Sequence, residues 1–293
     1  MHTNESTISV ITVSDDHYVV MLAALIKSIE ENHHSSESIN FHVVADRVAS
    51  TSKLKLEKSI NPCIINILWH DMDELLIGSL KVPKDKSSYP LNIYMRLFFP
   101  LFLSKQVKKV LYLDCDMIVL KDVSELYNIT LNGFPLAAVK DPKIQNFDNP
   151  WGGILNYKQL GLNGKSVYFN SGMLLIDCVK WAELDISQKV IKCVEENKNF
   201  VNYPDQYGLN VVFADNWLEV DSGWNTFSIA ENTSKPFIIH FTERKPIYRS
   251  YSNNPEYRDK FFFYLRLTAW VNFRPLSEFY RITKKVRNII TKM

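Results

Sequence analysis

Residues 8–69 alternate between two hydrophobic periods, and that alternation restricts the fold more than any other feature of the chain. Ile8–Val13 (ISVITV) is an apolar run of strand length, followed by the polar stretch SDDHY. Val19–Ile29 (VVMLAALIKSI) then reads as a helix that is apolar on almost every side. Phe41–Ala45 is a second strand, Thr51–Ile60 a second helix and Ile64–Trp69 a third strand. Such strand–helix–strand units in series predict a parallel sheet flanked by helices, because parallel neighbours need a crossover between them.

Further along, Leu91–Phe99 predicts a helix and Lys109–Leu113 (KVLYL) a buried strand. Asp141–Lys165 is rich in Asn, Gly, Pro and Asp and has no period, so it predicts a long and therefore functional loop. VYFNSGMLLIDCVKW reads as strand and Ile186–Asn197 as helix. YPDQYGLNVVF and the strand FIIHF at 237–241 follow. The expected organisation is one α/β domain over residues 1–250 and a basic, aromatic helical appendage over 251–293.

The 293 residues are 46% apolar and 23% charged, an ordinary globular balance. The net charge of +2 hides an asymmetry. From Lys260 onward there are eight Lys and Arg against one acid, Glu278, which leaves +7 there and −5 in the rest. Cys63, Cys115, Cys178 and Cys193 form neither a CxxC pair nor a zinc pattern, and read as reduced thiols of a cytoplasmic protein. No signal-peptide pattern and no run of 18 apolar residues is present, so no membrane span is expected. Nine glycines without GxGxxG or GxxxxGK[ST] argue against a dinucleotide site or a P-loop.

The chemistry concentrates in KKVLYLDCDMIVL. An apolar strand ends at Asp114, Asp116 follows two residues later, and a second apolar run begins. Ligands of open parallel sheets bind beyond the carboxyl ends of the strands. Two carboxylates there are hard oxygen ligands for Mg²⁺ or Mn²⁺. The spacing alone is weak, since Asp-x-Asp arises by chance about once in a chain of this size. Asp71 and Asp73 in WHDMDELL supply a comparison: they precede an apolar run, as helix-capping acids do. The flanks of Asp114 and Asp116 instead pull the turn inward. His240 ends FIIHF; alone it reads as a core histidine, but beside two carboxylates its imidazole favours Mn²⁺ over Mg²⁺.

SDDHY, IYMRL, LYLDCDMIV, YFNSGMLLID, YPDQYGLN and IIHFTERKP resemble glycosyltransferase family 8 in order and spacing over residues 8–250. That family includes bacterial lipopolysaccharide galactosyl- and glucosyltransferases and is related to glycogenin. The resemblance implies a GT-A fold, a UDP-sugar donor, Mn²⁺ with Mg²⁺ as second choice, and transfer to a saccharide or glycolipid acceptor with retention. Asp15, Asp16, His17, Tyr18 and Cys115 would bind the donor, with the SDDHY positions on the nucleoside. Arg96 would contact the donor sugar or phosphate, and Lys245 the diphosphate. Asp114, Asp116 and His240 would bind the metal, with Asp114 also binding the donor sugar. Asp141, Asn170 and Ser171 would line the sugar pocket, with Asp141 in the catalytic group. Asp205 and Gln206 would sit beside the anomeric carbon. The chain departs from the family at His17, where members often carry Asn, and at Thr242-Glu243-Arg244, where relatives often carry small residues and Gly.

Because an amide is a poor nucleophile, Gln206 favours front-face attack over a covalent intermediate of the kind retaining hydrolases form on a carboxylate. Two rival readings remain: a sugar-nucleotide nucleotidyltransferase, which usually opens with a Gly-rich loop where this chain has TVSDDHYVV, and a non-catalytic nucleotide-sugar-binding protein.

In the appendage, Leu276, Phe279, Tyr280, Thr283, Val286, Ile289 and Ile290 share a helical face, with Arg281, Lys284, Lys285, Arg287 and Lys292 between them. Upstream lie Phe261, Phe262, Phe263, Tyr264, Trp270 and Phe273. The pattern predicts contact with an anionic membrane surface, on the inner face of the cytoplasmic membrane, rather than with nucleic acid.

Overall fold

The computed structural model describes residues 7–76, 82–83, 89–229 and 235–290, the side chains of 284, 285 and 287–290 excepted. The chain opens β1 (Ile8–Asp15), α1 (Val19–Asn32), β2 (Ile39–Asp46), α2 (Ser50–Glu57), β3 (Ile65–Asp71) and α3 (Met72–Leu76). β4 (Lys109–Leu113), β5 (Met117–Val119), α4 (Val123–Tyr127), β6 (Leu136–Lys140) and β7 (Phe169–Asp177) follow. Then come α5 (Cys178–Glu183), α6 (Ile186–Asn197), α7 (Pro204–Val212), β8 (Leu218–Glu219), β9 (Thr226–Phe227), β10 (Ile238–His240), α8 (Pro255–Arg266) and α9 (Glu278–Ile290).

Seven strands form one mixed sheet in the order β3-β2-β1-β4-β7-β6-β8. The first four are parallel, as the βαβαβ pattern predicts, and β7 runs antiparallel to both β4 and β6. Successive strand residues enter opposite cores. In β4, Leu111 and Leu113 belong to the apolar cluster that contains α1, while Val110 and Tyr112 belong to the one on the other face. Helices therefore cover both faces, and the strands read as unbroken apolar runs. α1 is apolar all round because β5 and α8 pack against it as well; Asn32 donates to the Tyr264 hydroxyl at 2.8 Å and Ser28 Oγ accepts the Val119 N–H at 2.9 Å.

Two local expectations change. The segment from Leu91 is helical but 3₁₀, Leu91–Leu97 and then Phe99–Leu101, since Pro90 and Pro100 bracket it and Pro100 offers no N–H. The strand-like run VYFNSGMLLIDCVKW breaks at Asp177, whose carboxylate accepts the N–H groups of Val179 and Lys180 and starts α5. Asp71 takes the capping role expected of it, accepting the Asp73 N–H at 2.9 Å.

Residue 250 marks no gap in the apolar core. Asn254 caps α8, and Tyr257, Phe261, Tyr264 and Leu265 turn inward at helical spacing to join the cluster around α1. Phe261 and Tyr264 of the aromatic half are thus core, packed in the cluster around α1, whereas Phe263 is exposed. α9 differs: Phe279, Tyr280, Ile282 and Val286 are exposed. Lys292 lies outside the described residues, as do the side chains of Lys284, Lys285, Arg287, Ile289 and Ile290. No described helix is long and apolar enough to cross a membrane, and all four cysteines are free.

A candidate donor and metal site

The Asp-x-Asp turn is the hand-over between two sheets. β4 ends at Leu113, and the Asp114 N–H continues its ladder by donating to the Gly172 carbonyl at 2.8 Å. β5, which starts one residue after Asp116, belongs to a smaller sheet in the order β5-β10-β9. There Met117 pairs with His240, and the Phe241 N–H donates to the Asp116 carbonyl at 3.0 Å. Two strand ends and one turn therefore bring Asp114, Asp116 and His240 together, with one ligand atom from each lying within 4.8 Å of the others. His240 Nε2 is 3.3 Å from Asp116 Oδ1 and 3.6 Å from Asp114 Oδ2.

These residues line a cavity of about 750 Å³ that also holds Asp15, Tyr18, Arg96, Cys115, Asp141, Asn170, Ser171, Asp205, Gln206 and Lys245. The antiparallel strand β7 supplies part of its wall. Between Ala138 and Val139 the β6 ladder skips from Leu174 to Asn170, so Ser171–Met173 bulge out of that pairing. Bulges re-aim side chains beside functional sites, and this one turns the Asn-Ser-Gly segment toward the carboxylates. α7 is locked to β7 by Asn210, whose amide pairs with both the N–H and the carbonyl of Phe169, so Asp205 and Gln206 in its first turn meet Ser171.

Arg96 is the electrostatic hub. It is 7% exposed, and its guanidinium reaches Asp114 at 2.9 Å, Asp205 at 3.0 Å and the Ser171 carbonyl at 2.7 Å. Burial alone would lower its pKa, but Asp114 and Asp205 outweigh it and the pKa rises. Burial pushes the Asp205 carboxyl up, partly opposed by Arg96. Asp116 goes the other way: burial would raise its pKa, yet the Lys245 ammonium at 2.5 Å holds it well below the carboxylate range. Lys245 thus sits on a candidate metal ligand and on the Phe241 carbonyl, within the same cavity where a diphosphate was expected.

The amides form a fixed network. Gln206 Oε1 accepts from the Ser171 N–H at 2.9 Å, from Asn170 Nδ2 at 3.0 Å and from Ser171 Oγ at 3.3 Å. Asp141 spends Oδ1 on the N–H groups of Lys143 and Ile144 and Oδ2 on Asn170, so it shapes the loop and holds Asn170. Asp15 Oδ1 accepts the Tyr18 N–H at 3.0 Å, which sets the turn into α1. Asp16 and His17 do not line the cavity. Asp16 accepts the Ala49 N–H at the start of α2, and His17 pairs with the Tyr248 hydroxyl at 2.7 Å. Glu243 takes a left-handed φ of 62° that suits glycine, and turns its carboxylate onto Lys143.

Three contributors were not visible in the sequence. Asn225 bonds His240 Nδ1 at 2.9 Å. Glu278 of α9 holds Arg244 at 2.7 Å and Arg281 at 2.7 Å, and both arginines line the cavity. Gly172 offers no side chain where one would collide: a Cβ there would lie 2.5 Å from His240 Cε1 and 2.8 Å from Asp114 Oδ2. Asn225 carries no motif, and Glu278 reaches Arg244 and Ser250 across more than 25 residues, so only folding reveals these contacts. YFNSG did contain Gly172, but not its reason.

The residues fit a divalent ion. Two carboxylates and an imidazole converge on one point, glycine leaves that point open, and the Thr242 hydroxyl on the same wall is buried without a partner among the described residues.

The chain is 25% identical over 281 residues to general stress protein A of Bacillus subtilis, covering 89% of this chain and 94% of that one. It is 31% identical over 164 residues to the lipopolysaccharide 1,2-glucosyltransferase of Escherichia coli, covering 51% and 47%. Of the Streptococcus pneumoniae glycosyltransferase GlyA it spans 31%, at 28% identity. Among solved structures, the galactosyltransferase LgtC in complex with donor and acceptor sugar analogues superposes with a TM-score of 0.71 at 21% identity, covering 94% of this chain and all of that one. The bifunctional glycosyltransferase WbbM gives 0.76 at 21% identity, with this chain spanning 52% of it. These likenesses establish the GT-A fold expected from the sequence. The profile of Glycosyl transferase family 8 matches residues 9–247, most of the chain, and the chain belongs to that family.

Proposed function

We propose that this glycosyltransferase moves a hexose, glucose or galactose, from a UDP-sugar to a saccharide or glycolipid acceptor with retention, in the assembly of a bacterial surface glycan. The observation that carries the reading is the meeting of Asp114, Asp116 and His240 in the cavity that Asp205 and Gln206 also line. In this reading those three residues hold Mn²⁺, ahead of Mg²⁺ because one donor is an imidazole nitrogen. When bound, such an ion neutralises charge on a diphosphate leaving group.

The chain's own residues do the rest. Asp15, Tyr18 and Cys115 flank the nucleoside end, with Asp16 and His17 holding that loop from behind. Lys245 leaves Asp116 for the diphosphate. Arg96 acts chiefly by fixing Asp114 and Asp205. Asn170 and Ser171 face the sugar, with Asp141 steadying Asn170. Gln206 Oε1 already accepts from the Ser171 N–H and from Asn170 Nδ2, which take up its two lone pairs, so none is left for attack on the anomeric carbon. That supports front-face transfer: the acceptor oxygen bonds to the anomeric carbon on the face where the carbon–phosphate bond breaks, and the acceptor proton passes to the departing phosphate oxygen.

Residues 1–250 carry the donor site in this account, and 251–293 support it and reach lipid. The lipid contact is confined to α9, whose exposed Phe279, Tyr280, Ile282 and Val286 would meet an anionic surface at the inner face of the cytoplasmic membrane. A thermal-shift screen of nucleotide sugars with Mn²⁺ tests the donor assignment. A UDP-hexose should raise Tm by mass action, and a shift only with another nucleotide would overturn it.

A further inference from the structure

We infer that Asn225 is a positioning residue that fixes the tautomer of His240, so that Nε2 keeps its lone pair toward Asp114 and Asp116. The inference rests on the metal reading of that site. It follows from a chain of hydrogen bonds whose polarity is set by one backbone N–H. Gly172 N–H donates to the Asn170 side chain at 3.0 Å, so the atom that faces it is Oδ1. The same Oδ1 lies 2.8 Å from the Asn225 side chain, which must therefore present its NH₂ group there. That leaves Asn225 Oδ1 facing His240 Nδ1 at 2.9 Å. An amide oxygen can only accept, so Nδ1 carries the hydrogen and Nε2 of the neutral ring carries the lone pair.

The environment preserves this order. Asn225 is 2% exposed and His240 5%, so neither group exchanges its partner for water at low cost. Asn225 closes the 3₁₀ turn Ser222–Asn225 and directly precedes β9, which pairs with β10 beside His240. Its position is thus fixed by the same sheet that fixes the imidazole. The other end of Asn170 extends the relay, since its Nδ2 donates to Gln206 Oε1 and to Asp141 Oδ2. One N–H at Gly172 thereby orients both the metal-side imidazole and the Gln206 carbonyl. A lone pair on Nε2 aimed at two carboxylates is unfavourable by itself and becomes favourable with a cation between them.

Two variants isolate the His240 contact. Asn225→Leu removes the acceptor at Nδ1 and Asn225→Asp keeps one; both remove the donor to Asn170, and Asp also adds a charge. Long-range ¹H–¹⁵N NMR of wild-type protein should show His240 as the Nδ1–H tautomer. Mn²⁺ alone, titrated with the free ion read by electron paramagnetic resonance, should bind Asn225→Leu about 10- to 100-fold more weakly than wild type. Asn225→Asp should bind closer to wild type. An Nε2–H tautomer in wild type, or equal Mn²⁺ affinity in wild type and Asn225→Leu, would overturn the positioning role and leave the metal reading standing. No Mn²⁺ binding by wild type would overturn the metal reading and this inference with it.

Discussion

Gly172 lies so close to His240 that a methyl group on its α-carbon would sit 2.5 Å from the imidazole Cε1. Nothing in that contact is the end of a long flexible chain, and His240 is held from behind by Asn225. Gly172→Ala should therefore displace the imidazole and lower Mn²⁺ affinity by at least tenfold, as loss of orientation does at other metal sites. Overpacking of this kind costs about 1–3 kcal/mol, so the variant should still fold. Titration calorimetry with Mn²⁺, paired with a melting curve, checks both statements; unchanged affinity would contradict the packing account.

The Gln206 network yields a prediction about mechanism. With its carbonyl tied to Ser171 and Asn170, Gln206 should carry no glycosyl group at any stage. Gln206→Ala should lower kcat by roughly 10²-fold, the usual scale for losing one positioned polar group, with a smaller change in KM. Mass spectrometry of enzyme trapped during turnover should find unmodified peptide. A glycosyl adduct on Gln206 or Asp205 would establish double displacement instead.

The legible part of this protein is the part encoded locally. β1, α1 and β2 follow from the hydrophobic pattern, because each buries the apolar run its own sequence advertises; α2 buries only Leu56 and β3 only Ile65. Asp114, Asp116 and His240 were readable because each sits at the end of an apolar strand, where the chain has little freedom. Arg96 was readable as a site residue but not as a hub: its partners Asp114, Ser171 and Asp205 come from β4, the β7 bulge and α7. Asp16 and His17 lie in the same short motif as Asp15, yet adjacent side chains in a turn diverge, and these two bond to Ala49 and Tyr248 instead of facing the cavity. Asn225 could not be found at all, since a lone buried Asn looks like any turn residue until its two partners are assembled.

Stability should fall in mild acid through His42. It is buried on β2, with Nδ1 3.0 Å from His70 Nε2, and burial followed by the His70 charge lowers its pKa to about 4. The unfolded chain takes up a proton near the ordinary value, about 6.5, that the folded chain refuses. The contribution is therefore fully present above about pH 6.5 and lost as pH drops toward 4, with an upper bound of about 3 kcal/mol. Urea denaturation at pH 7 and pH 5 should show the loss, and His42→Leu should flatten it. An unchanged pH slope in that variant would assign the acid sensitivity elsewhere.

The lipid contact should reside in α9. Truncating the helix would also remove Glu278, which ties Arg244 and Arg281 at the cavity, so point variants are the cleaner probe. Phe279→Ser with Ile282→Ser should abolish co-sedimentation with anionic liposomes, high salt should weaken wild-type binding, and transfer to a short soluble acceptor should persist. If wild type ignores such liposomes at low salt, the exposed face serves another partner.

The most direct test of the central claim is sugar transfer measured in EDTA, after restoring Mn²⁺ or Mg²⁺, for wild type, Asp114→Ala and Asp116→Ala. Wild-type activity should vanish in EDTA and return best with Mn²⁺. Both variants should stay folded and inactive with either metal. Full wild-type transfer in EDTA, or full transfer by folded Asp116→Ala, would contradict it.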